Sequence, residues 1–188
     1  PQSLAAVVRA DKQRVSAPQD DAQAPRDEGR RADIRRRLKR ADELIDAGEL
    51  DEAWAIVDRV LSYDDPSFPL ALALGSKIWF KQKKHAVAYQ FARRLADVDP
   101  GNSYAWSNLG MEAEQLYRFD EADRAFQKAA GLANTDHAKS VLYMQWACML
   151  VNAGRWDDAE PMARRSLKYS PNSGKAQGNL GLACLAVG

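Results

Sequence analysis

Apolar residues stand at helical spacing along most of the chain, on one side of successive short segments. From Trp106 to Ala113, and again from Phe119 to Leu132, they recur at steps of three or four positions. Such a stripe is typical of an amphipathic helix that buries one face and leaves the other polar. The pattern therefore predicts pairs of helices, each pair joined by a short turn such as the one near Tyr117.

Small residues repeat in two series with a period of about 34 positions, which is the length of a helical-repeat unit. Each member of the second series follows a member of the first by twelve positions, as Ala122 follows Gly110. Two short helices that cross closely at small side chains would require this constant offset. The first series is Ala41, Ser76, Gly110, Ala147 and Gly181; the second is Ala53, Ala88, Ala122 and Ala159.

The turns and breaks repeat in the same frame. Gly48 and Gly154 stand at the turn inside two of the pairs, and Lys83 and Tyr117 take that place in the other two. Glycine adopts the left-handed conformation that ends a helix, so these positions are predicted to be turns. Helix-breaking residues follow each second helix. They are Pro66, Pro100, Asn134 and Pro171.

This frame resembles the tetratricopeptide repeat. Residues 106–110 read W-S-N-L-G, as in the W-x2-L-G start of that repeat, and Ala122 matches its small twentieth residue. The resemblance implies an all-α fold, a right-handed α-solenoid of antiparallel helix hairpins with about four and a half repeats, over residues 31–188. The repeats are expected at 34–67, 69–100, 103–134 and 140–173, with a partial repeat at 174–188.

The two ends of the chain differ from the repeats. Residues 1–30 are polar and lack helical periodicity, which predicts a flexible or extended N-terminal arm. Within it, Ser3 to Ala10 is apolar enough to dock on its own solenoid or on a neighbour's. Residues 178–188 carry no charge. This stretch predicts a helix with no polar capping element. We therefore expect either that the chain continues beyond Gly188, or that another protein or a second copy of this chain, through self-association, covers the helix.

Composition removes several classes of function. The 27 Lys and Arg balance the 26 Asp and Glu to a net charge of +1, which argues against nucleic acid as a partner. No apolar run approaches about 18 residues, so no membrane span is predicted. Two cysteines, Cys148 and Cys184, are too few for a disulfide framework and favour a cytoplasmic location. No Ser or Cys stands in a recognisable nucleophile setting, and no phosphate loop or zinc spacing is present. We therefore expect no enzymatic activity in this chain, no catalytic residue, no metal and no cofactor.

The resemblance implies a groove lined by the first helices of the repeats. At the sixth position of three repeats stand Asn108, Gln145 and Asn179, whose amides both donate and accept hydrogen bonds. Such a ladder would bind the backbone of an extended peptide; the alternative is that these are consensus residues open to solvent. Methionine and tyrosine around it would form an adaptable apolar lining. The remaining predicted groove residues are Tyr104, Ser107, Met111, Val141, Met144, Cys148, Lys175 and Leu182.

The carboxylate clamp of chaperone-binding family members is not expected. Of the positions that would form it, Lys175 alone carries the required residue.

Two basic clusters interrupt the balanced charge. The first, on the helix that contains Arg35 to Arg40, is either the exposed face of a capping helix or a contact for an acidic partner, a lipid headgroup or nucleic acid. The second, Lys81 to Lys84, is either a solvated turn or a contact for an anion or a partner. The predicted patch comprises Arg35, Arg36, Arg37, Lys39, Arg40, Lys81, Lys83 and Lys84.

The sequence thus predicts a protein-protein interaction module that binds an extended peptide or protein segment in the groove, with a scaffold or assembly role. Two alternatives stay open. In one, the chain is the N-terminal recognition domain of a larger enzyme, such as a glycosyltransferase, whose catalytic part lies beyond Gly188. In the other, it is a structural component of a large assembly that uses its N-terminal arm.

Overall fold

The computed structural model describes the backbone of residues 23–187 and the side chains of residues 27–182. Over this part of the chain the structure is helical and contains no strand, which confirms the predicted all-α repeat fold. A single π-helical turn, Val60–Asp64, extends the second helix. The helices are α1 Gln23–Ala47, α2 Leu50–Arg59, α3 Pro69–Lys81, α4 His85–Val98, α5 Ser103–Gln115, α6 Phe119–Leu132, α7 Asp136–Asn152, α8 Trp156–Tyr169 and α9 Gly174–Val187.

The chain divides into two compact units, residues 1–37 and 38–188. In the first unit, the part that the structure describes is the beginning of α1. It includes residues 23–30, which were assigned to the arm on sequence grounds; the rest of the arm, with the Ser3 to Ala10 segment, lies outside the described residues. The predicted arm and repeat boundaries therefore stay predictions.

Within the second unit, helices pack in chain order and first helices also touch one another. Each of α3 to α8 packs on the helix that follows it. In addition, α3 contacts α5, α5 contacts α7 and α7 contacts α9. The first helices α3, α5, α7 and α9 thus form one continuous surface, called the first-helix face below.

The predicted crossing of Ser76 and Ala88 is confirmed, and Gly110 lies close to the second helix of its hairpin. The hydroxyl of Ser76 donates a hydrogen bond to the carbonyl of Ala88, twelve positions on, at 3.2 Å. At Gly110, a Cβ would lie 3.0 Å from Cε2 of the buried Phe126 ring, so any side chain there would have to displace the ring. Gly75 approaches Phe91 in the same way, a contact that the small-residue series did not include. Gly181, which the series did include, is exposed.

The four turns inside the hairpins share one backbone geometry, as predicted. Gly48 and Gly154 have φ of +85° and +71°, and Lys83 and Tyr117 both have φ of +58°. In each, the residue after the turn donates its N–H to a carbonyl five positions back, as Arg118 does to Ala113 at 2.9 Å. This bond satisfies a carbonyl that the helix end would otherwise leave unpaired. For lysine and tyrosine the left-handed conformation costs about 1 kcal/mol.

The core of the second unit lies between first and second helices, centred on Tyr89, Phe126 and Met149, which are almost fully buried. In the part of the chain that the structure describes, no helix is both long enough and apolar enough to cross a membrane.

Candidate functional site

A cavity of about 560 Å³ opens on the first-helix face. It draws residues from α3, α5, α7 and α9 and from no second helix. Apolar side chains make most of its wall, and amides and two charged groups complete it. The lining residues are Phe80, Met111, Glu114, Gln115, Met144, Gln145, Cys148, Lys175, Gly178, Asn179 and Leu182.

The structure brings most of the predicted groove residues to this cavity. Tyr104 and Val141 lie outside it, on exposed positions near the starts of α5 and α7. Ser107 and Asn108 are buried, with 7% and 6% of their surface exposed. The predicted groove residues that do line the cavity are Met111, Met144, Gln145, Cys148, Lys175, Asn179 and Leu182.

The amides of the predicted ladder are held by the protein itself. Gln145 accepts a hydrogen bond from the Ser107 hydroxyl at 3.0 Å and donates one to the sulfur of Met111 at 3.2 Å. Asn179 donates to the backbone carbonyl of Met144 at 3.3 Å. Because an amide side chain can make four hydrogen bonds, both keep capacity for a ligand. Asn108, buried and away from the cavity, does not extend the row.

Sequence reasoning missed Phe80, Glu114 and Gln115. Glu114 and Gln115 follow Met111 by three and four positions, so they stand one turn further along the same face of α5. The helical spacing could have found them, had the groove been extended toward the ends of the first helices.

One carboxylate of the cavity is set in partly apolar surroundings. Burial raises the pKa of Glu114, and a hydrogen bond from the Asn152 amide, at 2.7 Å, partly offsets this. The same burial, followed by the negative charge of Glu114, raises the pKa of the Cys148 thiol. Cys148 is therefore a neutral, half-buried side chain at neutral pH and packs as a small apolar group.

A second acid on α5, Glu112, is buried next to His85, which contacts the cavity residue Phe80. Glu112 is 4% exposed, and burial raises its pKa to about 7, against a smaller lowering by the Ser76 hydroxyl. Its Oε2 lies 3.7 Å from Nδ1 of His85, and neither atom has a hydrogen-bond partner in the described structure. The His85 ring meets Phe80 edge to face, with centroids 5.4 Å apart. Phe80 in turn lines the cavity.

At the α3 end of the first-helix face, Lys77 forms ion pairs with two carboxylates of α1. Nζ of Lys77 lies 2.7 Å from Asp42 and 3.0 Å from Asp46. Burial lowers the pKa of Lys77, but the hydrogen bonds and charges of the two carboxylates outweigh this and raise it. Lys77 stands at the ninth position of its repeat, the place that Met111 and Cys148 take further along.

The predicted basic patch is partly engaged in local contacts. On α1, Arg36 and Arg37 both pair with Asp33, and Arg40 lies 3.5 Å from Glu43. Arg35 and Lys39 are exposed.

The lysines of the second cluster also have local partners. Lys81 donates to the Ile45 carbonyl at 3.1 Å, and Lys84 lies over the Trp79 ring at 4.6 Å. Lys83 supplies the left-handed turn. A role for the patch in partner binding stays a prediction.

The fold and this cavity define a helical-repeat protein. A sequence profile of the tetratricopeptide repeat matches residues 38–103 and 144–188, more than half of the chain. The chain therefore belongs to the tetratricopeptide repeat family. No curated protein matches its sequence.

Solved structures of other proteins share the fold. MamA superposes with a TM-score of 0.71 at 20% identity, covering 82% of each chain. YrrB, a tetratricopeptide repeat protein with an unusual peptide-binding site, gives 0.65 at 21% identity, covering 79% of this chain and 75% of its own. The first repeat domain of Spaghetti (RPAP3), bound to the HSP90 peptide SRMEEVD, gives 0.58 at 22% identity, covering 63% and 92%. At these identities the likeness shows the fold alone.

Proposed function

We propose that this chain is a protein-interaction module that binds an extended segment of another protein across the first-helix face. One apolar side chain of that segment would be anchored in the cavity. The observation that carries the proposal is the cavity itself, built by four first helices and walled by Met111, Met144, Phe80 and Leu182. Its volume of about 560 Å³ falls within the range of ligand pockets, about 300–1,000 Å³.

The arrangement of the helices suits an extended chain. Packed helices lie about 8–10 Å apart, and an extended chain advances about 3.3 Å per residue, so such a segment would meet a new first helix every three residues. Gln145 on α7 and Asn179 on α9 stand at equivalent positions and offer amides to its backbone. Methionine side chains adapt their shape to different apolar anchors.

Related folds support a peptide as the ligand. The RPAP3 domain binds an HSP90 peptide, and YrrB has a peptide-binding site. Both are tetratricopeptide repeat proteins with the same fold as this chain.

The test places a large side chain in the cavity, at a position where it should not disturb the fold. Gly178 lines the cavity, and an added Cβ there would meet no atom within 4 Å, so Gly178→Trp should fold and occupy the anchor site. The matched control is Gly131→Trp on α6, where a Cβ would also meet open space. Peptides selected from a random display library on the 188-residue chain would be titrated calorimetrically into each variant.

We expect Gly178→Trp to weaken binding about tenfold or more, and Gly131→Trp to leave it unchanged. Equal affinity of wild type and Gly178→Trp, with helicity intact by circular dichroism, would contradict the proposal. So would a failure of the wild-type chain to enrich any peptide over the Gly178→Trp chain.

A further inference from the structure

The cavity contains a carboxylate that the protein does not neutralise. Glu114 lies on the last turn of α5, half-buried beside Met111 and Cys148 in the cavity wall. Its recorded hydrogen bond comes from the neutral amide of Asn152, at 2.7 Å. Among the side chains of residues 27–182, none that is cationic forms an ion pair with it.

Two other partly buried charges of the second unit, Lys77 and Asp123, do have oppositely charged partners. Lys77 is paired with two carboxylates, and Asp123 with Arg155 at 2.9 Å. A charge taken out of water without a partner is costly, and proteins usually pair it. Lys175 also lines the cavity, yet it forms no ion pair with Glu114 in the described structure. Among the described residues, Glu114 thus has a hydrogen bond from Asn152 and no cationic partner.

The surroundings of Glu114 suit a long cationic side chain. Lysine and arginine carry aliphatic stems that pack along apolar surface, such as the methionines of this wall, while the charged end reaches a carboxylate. Phe80, 42% exposed, lines the same cavity, and aromatic rings attract cations to their faces. An ion pair formed in this partly desolvated site is stronger than one in water. The raised pKa of Glu114 agrees with a carboxylate that lacks a cation.

We propose that the segment bound in the cavity carries a lysine or arginine two positions from its apolar anchor, and that this cation pairs with Glu114. In an extended chain, side chains two positions apart point the same way, so anchor and cation reach one cavity together. The ligand would therefore be basic and apolar, unlike the acidic peptide SRMEEVD of the RPAP3 complex. This inference rests on the proposed function.

The experiment selects random 12-residue displayed peptides on three forms of the full 188-residue chain: wild type, Glu114→Gln and Glu114→Lys. We expect wild type to enrich lysine or arginine two positions before or after Leu, Met or Phe, and not at the adjacent positions. Glu114→Gln should enrich the apolar residue without the basic one. Glu114→Lys should favour Asp or Glu in its place, because the sign of the charge in the wall has been reversed.

A mutant cycle measures the pairing directly. The best wild-type peptide and its Lys→Ala or Arg→Ala form would be titrated into wild type and Glu114→Gln. We expect Glu114→Gln to weaken the basic peptide about tenfold, more so at low salt, and to leave the alanine peptide unchanged. Glu52→Gln is the matched control, since Glu52 is an exposed acid on the second helix α2 and its loss should change nothing.

The outcomes separate this inference from the proposed function. Peptides with an apolar anchor but no basic preference, or peptides equally tight to Glu114→Gln, would overturn the pairing and leave the binding face standing. Acidic peptides weakened by Lys175→Ala would also overturn it, in favour of the opposite charge. Absence of any enrichment over Gly178→Trp would overturn both.

Discussion

At one end of the first-helix face Lys77 bridges Asp42 and Asp46, while at the other end the equivalent ninth positions are Met111, Cys148 and Leu182 around an open cavity. Both ends are built from helix hairpins of the same kind, and their turns share a positive φ. At the ion-paired end, neighbouring repeats satisfy one another's charges across the face. At the cavity end, apolar side chains line an open cavity together with Glu114 and Lys175. The residue at the ninth position of each repeat therefore distinguishes an ion-paired surface from an open, mostly apolar one.

The largest expected effect tests whether both ends depend on one shared scaffold. Replacing Gly110 with Leu forces a side chain into the buried Phe126 ring, since even a Cβ would lie 3.0 Å from it. We expect a loss of about 3 kcal/mol in the free energy of unfolding from overpacking. Urea denaturation followed by circular dichroism measures it. Gly131→Leu, a change into open space, should be neutral or slightly stabilising; equal losses in both variants would contradict the crossing.

The next effect concerns the buried Glu112, whose neighbour His85 contacts the cavity residue Phe80. Burial raises its pKa in the fold to about 7, from an ordinary value of 4.5, so between these pH values the folded state holds more protons than the unfolded state. Stability should then fall as pH rises from about 4.5 to about 7, by at most about 3 kcal/mol.

Glu112→Gln removes the titrating carboxyl group. Comparing the variant with wild type therefore separates the contribution of Glu112 from that of every other titrating group. We expect the variant to lose the decline in stability over that pH range and to be more stable than wild type at pH 8. Urea midpoints at half-unit steps of pH measure both. A wild-type profile that rises between pH 5 and pH 7, or a variant profile parallel to wild type, would contradict the burial of this acid.

The smallest effect tests the ion-paired end directly. Lys77→Met places at this ninth position the residue that the cavity end has at Met111, and leaves Asp42 and Asp46 without their cation. Since Lys77 is one-third exposed and both acids are more so, we expect a loss of about 0.5–1 kcal/mol that shrinks in high salt. Peptide affinity at the cavity should stay unchanged; a parallel loss of affinity would show that the two ends are coupled.

The repeat frame could be predicted because it depends on local sterics. Gly110 and Ser76 were identified as crossings, and Lys83 and Tyr117 as turns, from spacing alone. A small residue every 34 or so positions and a break after each hairpin leave few other ways to pack the helices.

The cavity was predicted less completely. Met144 and Leu182 were identified from their register, but Phe80 and Glu114 were not, and Asn108 proved to be buried. The helical spacing of the sequence shows on which side of its own helix a residue lies. It does not give the depth at which the next helix covers that residue, and the cavity extends one turn beyond the positions that were considered.

The amino-acid sequence by itself determined the class of fold, the length of the repeat and the residues where helices cross and turn, because each follows from backbone sterics and helical periodicity within about 34 residues. Tertiary structure alone decided that Lys77 would meet two acids, that Glu114 would not meet a base and that Glu112 would be buried. The physical reason is that desolvation and ion pairing depend on distances between side chains 30 or more positions apart, which only the packed helices set.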